Sequence, residues 1–344
     1  MPQRRRFLAI AASWSALGPA AMAMPTPQPV VWKGVTLGAL ASMSIVHPDR
    51  AHAQALLARS LAEIERLEGI FSLYRSDSVL SRLNAAGHLA GPPTELVELL
   101  SFSLSLARAT DGAFDPSVQP LFNAYLEHFS QPGAAPAGPP PARIKRALAS
   151  VGFADVELDS GHVRLHRPGA ALTLNGVAQG FITDRVATLL RAGGLDNVLL
   201  DLGEARAMGR HADGQPWRAA VRDPGHTERT LFDQALGNGR GQWPALATSG
   251  GYGTVFGTDP RVHHLLDPRS GHSANYHASV SVAASSATLA DGLSTALCIV
   301  PPARADALVA AHPGVRAWFV DGRSHVTTRD TRHGPAHQRH GLFG

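Results

Sequence analysis

Two short hairpins most constrain how this chain can fold. Val156-Glu157-Leu158 and Val163-Arg164-Leu165 flank Asp159-Ser160-Gly161-His162. Residues 316–320 and 324–327 flank Asp321-Gly322. Each pair reverses direction across a tight turn, so each predicts antiparallel pairing. Amphipathic helices stand between such strands. Asp49 predicts an N-cap for a helix whose Leu56, Leu57, Leu61, Ile64, Leu67 and Ile70 recur every three or four residues. A second helix follows Pro92-Pro93-Thr94, a third runs from about Gln179 to Gly193-Gly194, and a fourth from Thr288 to Ile299. Strands are expected at residues 30–46, 172–174, 198–202, 217–221 and 279–283, the last half buried because it alternates polar and apolar side chains. The Pro/Gly/Ala stretch between Pro132 and Pro141 reads as a surface loop or lobe boundary. Hairpins mixed with helices predict an α+β protein, with mixed or antiparallel sheets and packed helices, rather than a doubly wound parallel sheet.

The N-terminus carries an address. Arg4-Arg5-Arg6-Phe7-Leu8 fits the twin-arginine export pattern, an apolar stretch follows from Ala9 to Ala20, and Ala21-Met22-Ala23 offers a small-x-small cleavage site. The stretch is shorter than the ~20 residues that cross a bilayer. The expected organisation is therefore a leader over 1–23, the main folded domain over 24–328, and a flexible His/Arg-rich tail over 329–344. A periplasmic location follows, without stable membrane insertion once the leader is gone. Formal net charge is +4, and the three leader arginines account for all but +1 of it. So small a residue of charge argues against a nucleic-acid partner. The single cysteine, Cys298, lies in an apolar run and reads as a packing residue.

Chemistry concentrates in residues 247–295. Asp291 and Thr295 are four apart on a predicted helix, so both oxygens project from one face, as a hard cation requires. His263 and His264 are adjacent on a probable strand, so only one can face a site. Asp267-Pro268, Arg269 and Gly271 make a turn beyond them. His272 and His277 complete four histidines in a short segment, but C-x-x-C, H-x-H and H-E-x-x-H spacings are missing, which argues against zinc or copper. Ala247-Thr248-Ser249-Gly250-Gly251 can set hydroxyls and backbone N–H groups around an anionic oxygen. The chain has no G-x-x-x-x-G-K-[ST], G-x-G-x-x-G or G-x-S-x-G, which argues against a P-loop NTPase, a Rossmann dehydrogenase and an α/β-hydrolase.

In order along the chain, these segments resemble the ApbE family, the FAD:protein FMN transferases. Ala39-Leu40-Ala41-Ser42 stands where the family has A-M-G-T. Phe71-Ser72-Leu73-Tyr74 through Ser81-Arg82-Leu83-Asn84 resembles F-S-x-Y…S-x-L-S-R-L-N, and Gly112-Ala113-Phe114-Asp115-Pro116-Ser117-Val118 resembles G-A-F-D-P-T-V. Ala247-Thr248-Ser249-Gly250 matches A-T-S-G, and His264-Leu265-Leu266-Asp267-Pro268-Arg269-Ser270-Gly271 matches H-I-I-D-P-R-T-G. Ala290 to Leu297 matches A-D-A-L-x-T-A-L.

The resemblance implies an ApbE-like, T-fold-related, two-lobed architecture and a Mg²⁺-dependent transfer. FAD is cleaved, FMN is joined by a phosphoester to a Thr or Ser of an acceptor flavoprotein with an FMN-binding domain, and AMP leaves. It also implies roles. Asp291 and Thr295, with a backbone oxygen near Gly176, hold the metal. Leu40, Tyr74, Ala113, Phe114, Asp115, Thr173, Gln179, Ser249 and Leu265 contact FAD. His264 is the base for the acceptor hydroxyl, and Asp267 shapes its turn. One segment departs: the family's D-L-G-G-I-A-K-G-Y reads Thr173-Leu174-Asn175-Gly176-Val177-Ala178-Gln179-Gly180-Phe181 here, exchanging one acid and one base together. Thr-Leu-Asn-Gly looks like the NosX branch, which implies a NosR-like acceptor. Two other readings stand beside transfer: a periplasmic FAD-binding protein without transfer activity, and a metal-binding accessory protein that uses the histidines.

Overall fold

A computed structural model describes residues 28–36, 38–226 and 228–331. The leader and nearly all of the expected tail lie outside the described residues. The helices are α1 (Arg50–Phe71), α2 (Val79–Ala86), α3 (Thr94–Ala109), α4 (Gln119–Phe129), α5 (Pro141–Ala149), α6 (Ala178–Ala192), α7 (Ala287–Ile299) and α8 (Pro302–Ala310). The strands are β1 (Val30–Thr36), β2 (Ala39–Ile45), β3 (His88–Ala90), β4 (Val156–Leu158), β5 (His162–Leu165), β6 (Val198–Asp201), β7 (Ala205–Met208), β8 (Trp217–Arg222), β9 (Thr230–Leu236), β10 (Ala245–Gly250), β11 (Ser279–Ala284), β12 (Arg316–Val320) and β13 (Val326–Asp330).

An eight-stranded sheet in the order β1-β2-β6-β7-β10-β11-β12-β13 carries the molecule, with a three-stranded sheet β3-β5-β4 and a ribbon β8-β9 beside it. Every pairing between these strands is antiparallel, as α+β patterning predicts. Both predicted hairpins form. Asp49 caps α1 by accepting the His52 N–H at 2.9 Å. Gly194, at φ +82°, takes the left-handed position just beyond α6.

Three expectations change. Residues 172–174 form no strand. The Asn84 side chain instead brackets Leu172 (Nδ2 to the Leu172 carbonyl 2.8 Å, Leu172 N–H to Oδ1 2.7 Å), and the Thr173 N–H goes to the Pro116 carbonyl. A side-chain amide thus replaces the neighbouring strand that the backbone would otherwise need. Strand β11 is buried along its whole length rather than on one face. Val280, Val282 and Ala284 belong to the main core with α7, while Ala283 joins Trp217, Val221, Leu236 and Trp318 in a second core under the β8-β9 ribbon. Layers cover both faces of the sheet there. At the C-terminus, β13 pairs through Asp330, Arg316 bonds that carboxylate and Thr331 bonds Val315, so ordered structure runs three residues into the segment read as a tail.

Candidate active site

The site is built where β10 ends against α7. Strand β10 delivers Thr248 and Ser249, and a short 3-10 turn, Gly251–Gly253, follows. Thr248 Oγ1 pairs with Ser281 Oγ at 2.9 Å. Ser249 Oγ lies 2.7 Å from Ser294 Oγ and 3.2 Å from Thr295 Oγ1. Beneath it the Cys298 thiol donates to the Ser249 carbonyl at 3.3 Å. Burial pushes that thiol up to about 12, so Cys298 is a packing group, not a nucleophile.

Asp291 is buried one helical turn before Thr295. Its Oδ2 accepts the Gly180 N–H at 3.1 Å. Gly176 meets the same helix: a Cβ there would stand 3.2 Å from Thr295 Oγ1 and 3.2 Å from the Phe114 ring. Of the three residues named for the metal, Gly176 and Thr295 line a cleft side by side, and Asp291 is buried behind them on the same helix as Thr295. Their donors are one carboxylate, hydroxyls and backbone, an all-oxygen set suited to a hard cation. Among the described residues no three His, Cys, Asp or Glu side chains gather as metal ligands.

A solvent-open cleft lies over this floor. Ala113, Phe114, Asp115 and Thr173 line one wall, and Gly176, Ser249 and Thr295 the floor. His264 and Leu265 close the other side. Asp115 accepts Ser117 N–H at 2.7 Å, Ser117 Oγ–H at 2.6 Å and Phe153 N–H at 3.3 Å. Burial raises its pKa against those bonds, so its first task is to hold the loop's shape. Tyr74 and Gln179 line a second recess with Gly38 and Arg75, and Asn175 lines both. Thr173 and Gln179, the two departures from the family pattern, therefore serve different recesses. Leu40 lines neither; it is 72% exposed on β2, just past the Gly38 turn.

The two histidines divide as adjacent residues must, although they stand in a loop stitched by isolated bridges rather than in a strand. His264 faces the cleft. Its Nδ1 lies 3.3 Å from the Thr254 carbonyl. A carbonyl only accepts, so Nδ1 carries the proton and Nε2 is the basic nitrogen. His263 is 3% exposed and turned away, its Nδ1 accepting the Leu265 N–H at 3.3 Å. Burial lowers its pKa. Its ring fills the space where a Cβ on Gly251 would sit, 2.5 Å from Cδ2. Asp267, expected to shape the turn beyond His264, does not line the cleft. Its oxygens take Arg269 Nε and Nη2, both at 2.8 Å, and Arg269 N–H at 2.9 Å. Its carboxylate shapes the turn and presents Pro268 to the cleft. His272 lies near Tyr125 and His277 packs on Phe319, away from His264.

Sequence reasoning missed several cleft residues. Tyr252 and Arg222 line it, as does Gly203. Tyr252 directly follows the Thr-Ser-Gly-Gly run, so an aromatic beside a glycine-rich turn was the available signal. Arg222 gave none, because it arrives on β8 from a separate sheet. Asp201 was also missed. It ends β6, its burial raises it to about 7, and the bond from Gly203 pulls the other way.

Comparison with known proteins agrees with this geometry. The ApbE family profile matches residues 37–319. The chain is 32% identical over 295 residues to the FAD:protein FMN transferase of Salmonella typhimurium, covering 83% of this chain and 82% of that protein. It is 32% identical over 299 residues to that of Treponema pallidum, covering 78% of each. Among solved structures, the flavin transferase ApbE from Vibrio cholerae superposes with a TM-score of 0.74 at 25% identity, over 88% of this chain and 97% of that one. The apo flavinyl transferase ApbE from Pseudomonas stutzeri gives 0.73 at 29%, over 90% and 98%. The fold and cleft define a flavin-handling transferase. The chain belongs to the ApbE family.

Proposed function

We propose that this protein transfers FMN from FAD to a Ser or Thr hydroxyl of an acceptor protein. The observation that carries the reading is that His264 faces the same cleft as the Ser249–Thr295 floor backed by Asp291. In the transfer, the acceptor oxygen bonds to the FMN phosphorus, the bridging P–O bond breaks, and AMP leaves with the bridging oxygen. The acceptor proton passes to His264 Nε2. Ser249 and the backbone N–H groups of the following turn hold phosphate oxygens, and the cleft walls fix FAD against the attacking hydroxyl. Asp291, Thr295 and backbone at Gly176 would hold Mg²⁺, which when bound neutralises charge on the pyrophosphate. Asp267 supports His264 by fixing the turn that follows it.

Incubating the protein with FAD, Mg²⁺ and an acceptor FMN-binding domain tests this, with in-gel flavin fluorescence, acceptor mass and released AMP as readouts. A labelled acceptor and stoichiometric AMP are expected. FAD binding without either would select the accessory-protein reading. The Thr173-Leu174-Asn175-Gly176 run favours a NosR-like acceptor, and a panel of acceptor domains tests that preference.

The twin-arginine leader supports export to the periplasm. Replacing Arg4 and Arg5 by lysine should leave the protein in the cytoplasmic fraction. Unchanged export would refute the route.

A further inference from the structure

Helices α6 and α7 are fastened at two points one turn apart. Gly180 and Asp184 are i and i+4 on α6, so they share a face. Gly180 gives its N–H to Asp291. Asp184 takes the start of α7: Oδ1 accepts the Ala287 N–H at 2.9 Å, and Oδ2 accepts the Thr288 N–H at 2.9 Å and its hydroxyl at 2.7 Å. Arg206, on β7, bonds Oδ1 from the other side. Both side chains are largely buried, 14% and 19% exposed. The first N–H groups of a helix have no partner within it. The N-cap of α7, Ser286, accepts only from Leu289, so Ala287 and Thr288 depend on Asp184. A carboxylate there also suits the positive end of the helix dipole.

We infer that Asp184 is a positioning residue for the cation site: it fixes where α7 sits along α6 and thereby aims Asp291 and Thr295. The inference rests on the Mg²⁺-dependent reading given above. If α7 slides or its first turn frays, the Gly180–Asp291 bond lengthens, and Asp291 and Thr295 shift together relative to Gly176 and Ser249. No atom of Asp184 touches the cleft, so its effect reaches the cation only through the helix.

Mg²⁺ binding, measured by calorimetry on the whole protein without turnover, is the test. Wild type is compared with Asp184→Ala, Asp184→Asn and Leu308→Ala, the last a buried residue of α8 remote from the cleft. Asp184→Ala should weaken Mg²⁺ binding by roughly tenfold or more, as loss of a supporting shell does. FAD affinity without metal should stay near wild type. Asp184→Asn keeps one acceptor and the shape, so it should fall between and serves if Asp184→Ala fails to fold. Leu308→Ala should lose stability but bind Mg²⁺ normally. Wild-type Mg²⁺ affinity in Asp184→Asn and Asp184→Ala, or an equal loss in Leu308→Ala, overturns the inference. A wild type that binds no Mg²⁺ yet transfers FMN overturns the cation reading, and the inference with it.

Discussion

Ser249 Oγ and Thr295 Oγ1 lie 3.2 Å apart although 46 positions separate them in the chain. That contact joins the last residues of a central strand to the middle of the helix behind it. It puts the hydroxyl-rich turn and the Asp291 face on a single floor, and most consequences for activity start from it.

Asp291→Ala removes the buried carboxylate that backs that floor. Mg²⁺-dependent AMP release should disappear, and raising Mg²⁺ should not restore it. Chromatographic AMP quantitation across a Mg²⁺ series measures this. Wild-type turnover at low Mg²⁺ would remove Asp291 from the cation site.

His264 and His263 should separate activity from stability. His264→Ala should lose on the order of 10²–10⁴ in transfer rate and keep FAD binding, because the ring serves the acceptor proton. His263→Ala leaves a hole under Gly251 and an unmade bond at Leu265 N, costing roughly 1–3 kcal/mol. Its folded fraction should transfer at a near-normal rate. Stopped-flow labelling alongside urea melts distinguishes the two.

Asp201 predicts a pH-dependent stability. Its folded pKa is raised to about 7 by burial, while the unfolded side chain ionises near its ordinary ~3.9. Between those values the native state keeps a proton that the unfolded state has released. Stability therefore falls as pH rises from about 4 to about 7, and stays reduced above. The effect is about 4 kcal/mol at most. Asp201→Asn should flatten this fall, matching wild type near pH 4 and exceeding it at pH 8. Parallel urea titrations across that range are the check, and identical slopes for both proteins would count against it.

Gly180→Ala tests the closeness of α6 and α7. A Cβ there would stand 2.4 Å from the Ala287 carbonyl oxygen, which is backbone and cannot swing aside. The helices must part, at a cost of roughly 1–3 kcal/mol, and the Asp291 bond goes with them. A lowered urea midpoint together with weakened Mg²⁺ binding is expected.

Much of this could be read along the chain, and the exceptions have physical causes. Asp49 and the α1 stripe, both hairpins and the α7 face carried local signals, since caps, turns and periodicity act over a few residues. The short helices α2, α4, α5 and α8 were not read, because eight to eleven residues give too few turns for a period to stand out. Residues 172–174 looked like a strand by composition, and only Asn84, 88 positions away, decides otherwise. For the site, Gly176, Thr295 and His264 line one cleft, with Asp291 buried one turn before Thr295 on the same helix. Asp267 holds Arg269 and so shapes its turn, outside the cleft lining. Arg222 and Asp201 were illegible, since what matters about them is the company that the sheets bring.

The lone buried thiol has a consequence for where this protein can fold. Cys298 is the only cysteine in the chain, and burial holds it in its protonated, unreactive form. No disulfide can form or break within the molecule in a reducing or an oxidising environment. Its folding is therefore indifferent to ambient reduction potential: no thiol has to be oxidised or kept reduced for the fold to be complete.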